Sequence, residues 1–260
     1  MPKPDFARFR RRHAPLLARS AAAAAMLLGC GPAIADDAAA DDGAKPAWTF
    51  GGFGTAGAVH SNESQADFTT NPVKSGGVGH GRSWSADVDS RLGVQLGLAF
   101  SPRWSAVLQL VSERGLQDSW RPALEWANVK YRATPDLSVR LGRVALPLFL
   151  AGDYLKAAYA LPWVRPPVEL YGAIPISYSD GVDASYRWSG GGLNNVTQAQ
   201  FGHAEIKFSE QSRASARGLA SVSNTTTAGA LTLRVSILTT KLSCNLAQSL
   251  FDGLRQFGAQ

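Results

Sequence analysis

Apolar residues recur at every second position through much of the chain after Trp48. The clearest stretch sets small or polar residues against Leu92, Val94, Leu96, Leu98 and Phe100. Strict alternation is typical of a β-strand with one apolar face. The same period returns at residues 104–110, 127–132, 137–141, 182–188 and 231–237, and residues 193–208 and 213–222 form two weaker segments. The pattern predicts an all-β fold of about nine antiparallel strands.

The connections between these segments alternate between short and long. Residues 101–103, 133–136 and 189–192 form short turns, whereas residues 61–86, 112–122 and 145–177 form long connections. Transmembrane β-barrels have this asymmetry, and their water-filled interiors carry polar side chains and glycines opposite the apolar rows, as here. Trp104 and Trp188 lie beside short turns, where an interfacial aromatic girdle would place them. A soluble β-sandwich is the alternative, because alternation alone does not say whether the apolar face meets lipid or a core.

The N-terminus has the order of a secretory signal peptide. Six basic residues precede an apolar run at residues 21–28, and Ala33-Ile34-Ala35 follows as an A-x-A cleavage site. We expect a signal peptide at residues 1–35 with cleavage after Ala35, a flexible leader at 36–47, and one partial barrel domain at 48–260. The signal holds six of the 26 basic residues and one of the 20 acidic ones, so the mature chain is near neutral and gives no argument for a nucleic-acid partner.

Cysteine placement leaves one alternative open. The two cysteines are Cys30, inside the signal, and Cys244, so the mature chain cannot form an internal disulfide. However, Leu27-Leu28-Gly29-Cys30 resembles a lipobox. The chain would then be an outer-membrane lipoprotein or a periplasmic binding module anchored through Cys30.

No enzyme signature is evident in the sequence. Residues 52–57 match GxGxxG, but a β-patterned segment contains them and no helix is predicted to follow. GxSxG and HExxH are absent, and His60, His80 and His203 stand alone. We therefore predict no catalytic residue, cofactor or metal, with a barrel enzyme whose catalytic groups are dispersed in sequence as the second alternative.

Four segments resemble Gram-negative outer-membrane porins. They are residues 51–55 (GGFGT), the hairpin 129–143, residues 178–182 (YSDGV) and residues 250–257 (LFDGLRQF). The resemblance implies an oligomeric, often trimeric, water-filled channel in the cell outer membrane that passes small hydrophilic solutes or ions and contacts membrane lipid. It also implies a third external loop that folds into the barrel.

The third long connection, residues 145–177, mixes charged residues with apolar residues and prolines. We expect it to fold inward with charges facing water; lying on the outer rim or at a subunit contact is the alternative. The predicted pore-lining residues are Arg91, Lys130, Arg140, Asp183 and Arg234 on strands, and Asp153, Lys156, Arg165 and Glu169 in this connection.

The face opposite the apolar rows predicts a mild anion preference. Its cations are Arg91, Lys130, Arg132, Arg140, Arg187, Arg213, Arg217 and Arg234, and its anions are Asp87, Asp89, Glu113 and Asp183. The connection 145–177 adds two charges of each sign. Fixed charge in a narrow lumen with low-dielectric walls concentrates counter-ions.

We expect this chain to be a C-terminally truncated member, because single-chain bacterial barrels have an even strand number and residues 245–260 do not read as a strand. Open edges in hydrocarbon leave backbone groups without partners, at several kcal/mol each. Residues 36–260 alone should therefore neither insert stably into bilayers nor resist SDS unfolding at room temperature. Heat-modifiable migration on a gel would contradict this.

Overall fold

A computed structural model describes residues 46–245 except 72, 73, 75, 117, 164, 173, 175 and 208–212. The predicted signal peptide, its cleavage site, Cys30, nearly all of the leader and the porin-like segment at 250–257 lie outside the described residues.

The described chain is an all-β antiparallel fold. Its thirteen strands are β1 (Ala47–Thr55), β2 (Val59–His60), β3 (Asp67–Phe68), β4 (Val78–Gly79), β5 (Trp84–Ser85), β6 (Arg91–Ala99), β7 (Trp104–Glu113), β8 (Ala123–Arg132), β9 (Leu137–Ala145), β10 (Tyr178–Gly190), β11 (Leu193–Lys207), β12 (Arg213–Ala228) and β13 (Leu231–Asn245). Nine of them form one sheet in the order β1-β6-β7-β8-β9-β10-β11-β12-β13, and the other four form two small pairs, β2-β5 and β3-β4. Within the described residues β1 and β13 do not pair, so the sheet is open rather than a closed barrel.

The four connections at one end of the nine-stranded sheet are short, and three of the four at the other end are long. Residues 100–103, 133–136, 191–192 and 229–230 join strands at one end, whereas residues 56–90, 114–122, 146–177 and the five residues 208–212 join strands at the other. Because every pairing along the sheet is antiparallel, alternate connections must fall at alternate ends. The asymmetry that the sequence predicted is therefore present.

The two faces of the sheet differ in chemistry, because successive side chains of a strand point to opposite sides. One face, which we call the apolar face, exposes large side chains such as Phe50 and Ile237, each 73% exposed. Trp104 and Trp188 lie on it near the short turns, and Trp104 packs against Tyr131 at 4.7 Å between ring centroids. The opposite, polar face carries glycines and hydrogen-bonded polar side chains. A soluble sandwich would bury the apolar side instead.

The long loop, residues 145–177, packs on the polar face. It contains two 3₁₀ turns, Gly152–Tyr154 and Ala158–Ala160, and one helical turn, α1 (Val168–Tyr171). Near its start, Leu146 packs with Ala204, Ala216 and Leu219, and Leu148, Ile176 and Leu238 join this cluster. The Ser236 hydroxyl of β13 donates to the carbonyl of Pro147 at 3.3 Å. No helix among the described residues is long and apolar enough to cross a membrane.

A β-bulge overturns the prediction that Arg213 and Arg217 lie on the polar face. The β12–β13 register shifts between Arg217 and Ala220. On the N-terminal side of this shift in β12, the buried residues are Ala214 and Ala216. A bulge inserts an extra residue and so reverses the phase of the alternation. Both arginines therefore lie on the apolar side of the sheet, at the end that carries the long connections.

Gly142 permits a close approach between β8 and β9. Its φ is +123°, and a Cβ there would overlap the carbonyl oxygen of Ala127. We expect Gly142→Ala to lower the free energy of unfolding by about 2 kcal/mol or more, through backbone strain and loss of strand pairing. Urea unfolding in detergent micelles measures it. Gly190→Ala is the matched control, because no atom lies within 4 Å of its Cβ position and the unfolding free energy should stay unchanged. Equal losses in both variants would contradict the prediction.

Candidate functional site

Glu113 is the centre of an ion-pair cluster between the sheet and the long loop. This residue ends β7 on the polar face, and its Oε1 lies 2.6 Å from the Lys156 Nζ and 3.1 Å from the Lys74 Nζ. Arg91, its cross-strand partner on β6, lies 3.8 Å from the other carboxylate oxygen. All four side chains are at most 22% exposed. A carboxylate this enclosed requires compensating cations, so Glu113 holds three segments together.

Glu125 is a second carboxylate at the same place. It lies 3.6 Å from the Lys156 Nζ and accepts a hydrogen bond from the Ser177 hydroxyl at 3.2 Å. The β7–β8 register shifts between Gln109 and Leu110, so Glu125 has no paired residue on β7. Sequence reasoning missed Glu125, because the alternating segment predicted for this strand begins at Ala127, beyond the bulge.

The far part of the long loop is held by Arg165. Its guanidinium lies 2.5 Å from Asp89, which precedes β6, and packs over the Phe68 ring at 4.8 Å from the centroid. Arg91 also donates to the backbone carbonyl of Leu155 at 3.4 Å. The long loop thus contacts β13 through Pro147 and the β6–β7 region through its later residues, so it crosses the polar face.

Lys156 is charged throughout the neutral pH range. Burial by itself lowers its pKa, but the Glu113 and Glu125 carboxylates raise it, and the net pKa lies above the ordinary value for lysine. A raised pKa means that its contribution to loop docking is present at neutral pH and is lost only as the pH rises through that pKa. Lys74 differs, since burial lowers the pKa of its ammonium below the ordinary value.

A row of polar contacts crosses five strands on the polar face. The Arg140 Nε lies 2.7 Å from Asp183, whose side chain is fully buried. The other Asp183 oxygen accepts from the Gln198 amide at 2.7 Å, and Gln198 in turn accepts from Arg234 at 3.1 Å. Arg234 also donates to the Ser223 hydroxyl at 3.1 Å. We call this row the polar ladder.

The predicted pore-lining residues divide into three groups. Arg91, Lys156 and Arg165 meet carboxylates of the sheet or of the segment before it. Arg140, Asp183 and Arg234 belong to the polar ladder, and Lys130 lies opposite Arg140 on β8. Asp153 and Glu169 are exposed, in the first 3₁₀ turn and in α1. The positive charges of the long loop are therefore compensated by carboxylates of the sheet and by Asp89, which precedes β6.

A narrow cleft remains between the long loop and the sheet. Phe53, Gln109 and Trp126 line its sheet side, and residues 152–157 line its loop side. Gly93 makes room for the Phe53 ring, which a Cβ at that position would overlap. The Gln109 amide donates a hydrogen bond to the Gln95 side-chain oxygen at 2.8 Å. This polar group at the bottom of the cleft therefore has a neutral partner. The cleft thus brings aromatic, neutral polar and charged side chains together beside the long loop.

Comparison with known proteins gives a distant structural likeness. No family model matches the chain, and no curated protein matches it. Among solved structures it is similar to OmpTdeltaL8, the loop L8 deletion mutant of OmpT, an outer membrane protein of Vibrio cholerae. The identity is 10%, the match covers 79% of this chain and 72% of that chain, and the TM-score is 0.35. A likeness at this level carries no argument about function, which has to come from the residues of the chain itself.

Removing the charge of Glu113 should release the long loop. Glu113→Gln leaves Lys156 and Lys74 with less compensation, and we expect loop docking to weaken by about 1–3 kcal/mol. Trypsin cleavage after Lys156 should then accelerate by about tenfold or more, because cleavage requires local opening. Asp153→Asn is the control, since this exposed carboxylate lies in the same loop. Unchanged cleavage in Glu113→Gln would rule out the anchoring role.

Proposed function

We propose that this chain is an outer-membrane channel protein of the porin type, through which small hydrophilic solutes diffuse passively. The observation that carries the proposal is the reversed polarity of the nine-stranded sheet. Its apolar side chains are exposed, whereas Asp183 and Gln198 on the polar face are buried and hydrogen-bonded. Such a sheet is stable when lipid covers the apolar face and the polar face encloses water.

The long loop favours a channel over a plain membrane anchor. Charged side chains need water or opposite charges, and the loop brings Lys156 and Arg165 onto a face that already carries carboxylates. A loop that crosses such a face narrows the space in front of it. Small hydrated solutes would pass beside the loop, and the proposal assigns no chemical step to the chain.

The direction of insertion follows from the connections. In outer-membrane barrels the short turns face the periplasm and the long connections face outward. The exposed Trp104 and Trp188 would then lie at the periplasmic interface with outer-membrane lipid. The expected signal peptide supplies the export route. A homo-oligomer, with a trimer as the form implied by the resemblance to porins, is part of the proposal.

The proposal includes a mild preference for anions, although the excess of cations over anions is smaller than the sequence alone indicated. Among the residues counted from the sequence, moving Arg213 and Arg217 to the other face and adding Glu125 leaves six cations and five anions: Arg91, Lys130, Arg132, Arg140, Arg187 and Arg234 against Asp87, Asp89, Glu113, Glu125 and Asp183. Lys74, Arg82 and Arg114 lie against Glu113 or Asp87 and are outside this count. Arg140 and Arg91 lie against carboxylates, whereas Arg234 contacts the neutral groups of Gln198 and Ser223. We therefore assign the largest share of the selectivity to Arg234.

Planar-bilayer recording tests both parts of the proposal. It is made on the chain without residues 1–35 and on a fusion in which added strands pair with β1 and β13, because the described sheet is open at those two edges. Stepwise ohmic conductance is the expected result for the fusion. Its absence would overturn the channel proposal.

Reversal potentials in a salt gradient test the selectivity. Arg234→Gln should shift the reversal potential toward cation preference, since it removes a fixed positive charge from a low-dielectric wall. Arg234→Lys should keep the parent value, and Arg121→Gln, in the exposed β7–β8 connection, is the control. Cation selectivity in the parent, or no shift in Arg234→Gln, would refute the assignment.

A further inference from the structure

The phase reversal in β12 creates a basic surface on the outside of the sheet. On the C-terminal side of the bulge in β12, Val222 lies on the apolar face and is 54% exposed. On the N-terminal side, Ala214 and Ala216 take the positions that face the long loop, so Arg213 and Arg217 point outward and are exposed. A sequence with unbroken alternation would have placed both arginines on the other side.

β13 supplies a third cation beside the two arginines of β12. Lys241 is the cross-strand partner of Arg217, and it follows the outward row of Leu231, Leu233, Val235, Ile237 and Thr239. Lys241 lies four residues beyond Ile237, which corresponds to about 13 Å along a strand at about 3.3 Å per residue. The outward side therefore changes from apolar to basic at the end that carries the long connections.

Among the described residues of this surface the cations outnumber the anions. Arg213 lies 3.5 Å from Glu205, and both side chains are about half exposed. Arg217 and Lys241 are directly opposite each other on the adjacent strands β12 and β13. Like charges in such a cross-strand pair destabilise a sheet. An anion lying between the two side chains would remove that repulsion.

We propose that Arg213, Arg217 and Lys241 form a binding site for the phosphoryl headgroup of a membrane lipid in the outer leaflet. The site rests on the membrane placement in the proposed function. An arginine fork matches phosphate oxygens with two parallel N–H donors, and the lysine ammonium adds a point charge. A lipid is the occupant that fits, because its acyl chains would lie along the exposed apolar row that ends at Ile237.

Native mass spectrometry of the full chain in neutral maltoside micelles tests the site. The probes are phosphatidic acid, phosphatidylcholine and inorganic phosphate. We expect phosphatidic acid to bind in preference to phosphatidylcholine, and millimolar inorganic phosphate not to displace it. The double variant Arg217→Gln/Lys241→Gln should lose about tenfold or more in affinity for phosphatidic acid, whereas Arg217→Lys should lose less, because it keeps the charge but not the two parallel donors. Arg103→Gln, in an exposed short turn at the other end, is the control, and every variant must match the circular dichroism of the parent.

Three results would overturn the site. They are parental affinity in the double variant, an equal loss in Arg103→Gln, or displacement of phosphatidic acid by inorganic phosphate, which would indicate a site for free anions. Because binding is measured in micelles, these outcomes are independent of conductance. A chain that conducts but shows no preference for phosphatidic acid would lose the lipid site and keep the proposed function.

Discussion

The two-residue period of a β-strand governs this molecule. A side chain can change from one face of a sheet to the other only where the register shifts, and the described sheet has such shifts at the ends of β7, β11 and β12. Between them apolar and polar residues keep to opposite faces on most strands, although the hydrogen-bonded side chains of Asn195, Thr197, Asn224 and Thr226 lie on the apolar face. The shifts lie toward the end with the long connections, and it is there that charged residues leave the pattern: Glu125 among the loop contacts, and Arg213 and Arg217 on the outside.

The polar face creates a second constraint, because buried charge must be compensated. Asp183 is fully buried and is satisfied by Arg140 and Gln198. Glu113 is satisfied only with help from the long loop, through Lys156. Replacing such pairs with apolar residues is often neutral for stability, so their presence fits a face that has to remain compatible with water. The loop is thus fixed by the same charges that would act on a passing solute.

The outside of the sheet shows a graded chemistry along the strands. Exposed Trp104 and Trp188 lie near the short turns, exposed Val222 and Ile237 lie toward the middle, and the cations Arg213, Arg217 and Lys241 lie at the far end of β12 and β13. A bilayer offers an interface that favours aromatic rings, a hydrocarbon core and a headgroup region that favours cations, in matching order from one side to the other. A wall with this gradient on one side and a compensated polar surface on the other has each face matched to a different solvent.

The sequence by itself determined the all-β class, the sequential antiparallel order, the ends at which turns are short or long, and which face is apolar, because all of these follow from local alternation and turn chemistry. It also placed Arg91, Arg140, Asp183 and Arg234 on one face. Tertiary structure alone decided the partners of Lys156 and Arg165, the role of Glu125 and the outward position of Arg217. Contacts between residues far apart in sequence leave no trace in a periodic pattern, and a single-residue register shift shows there only as an interruption, since both depend on how strands pair in space.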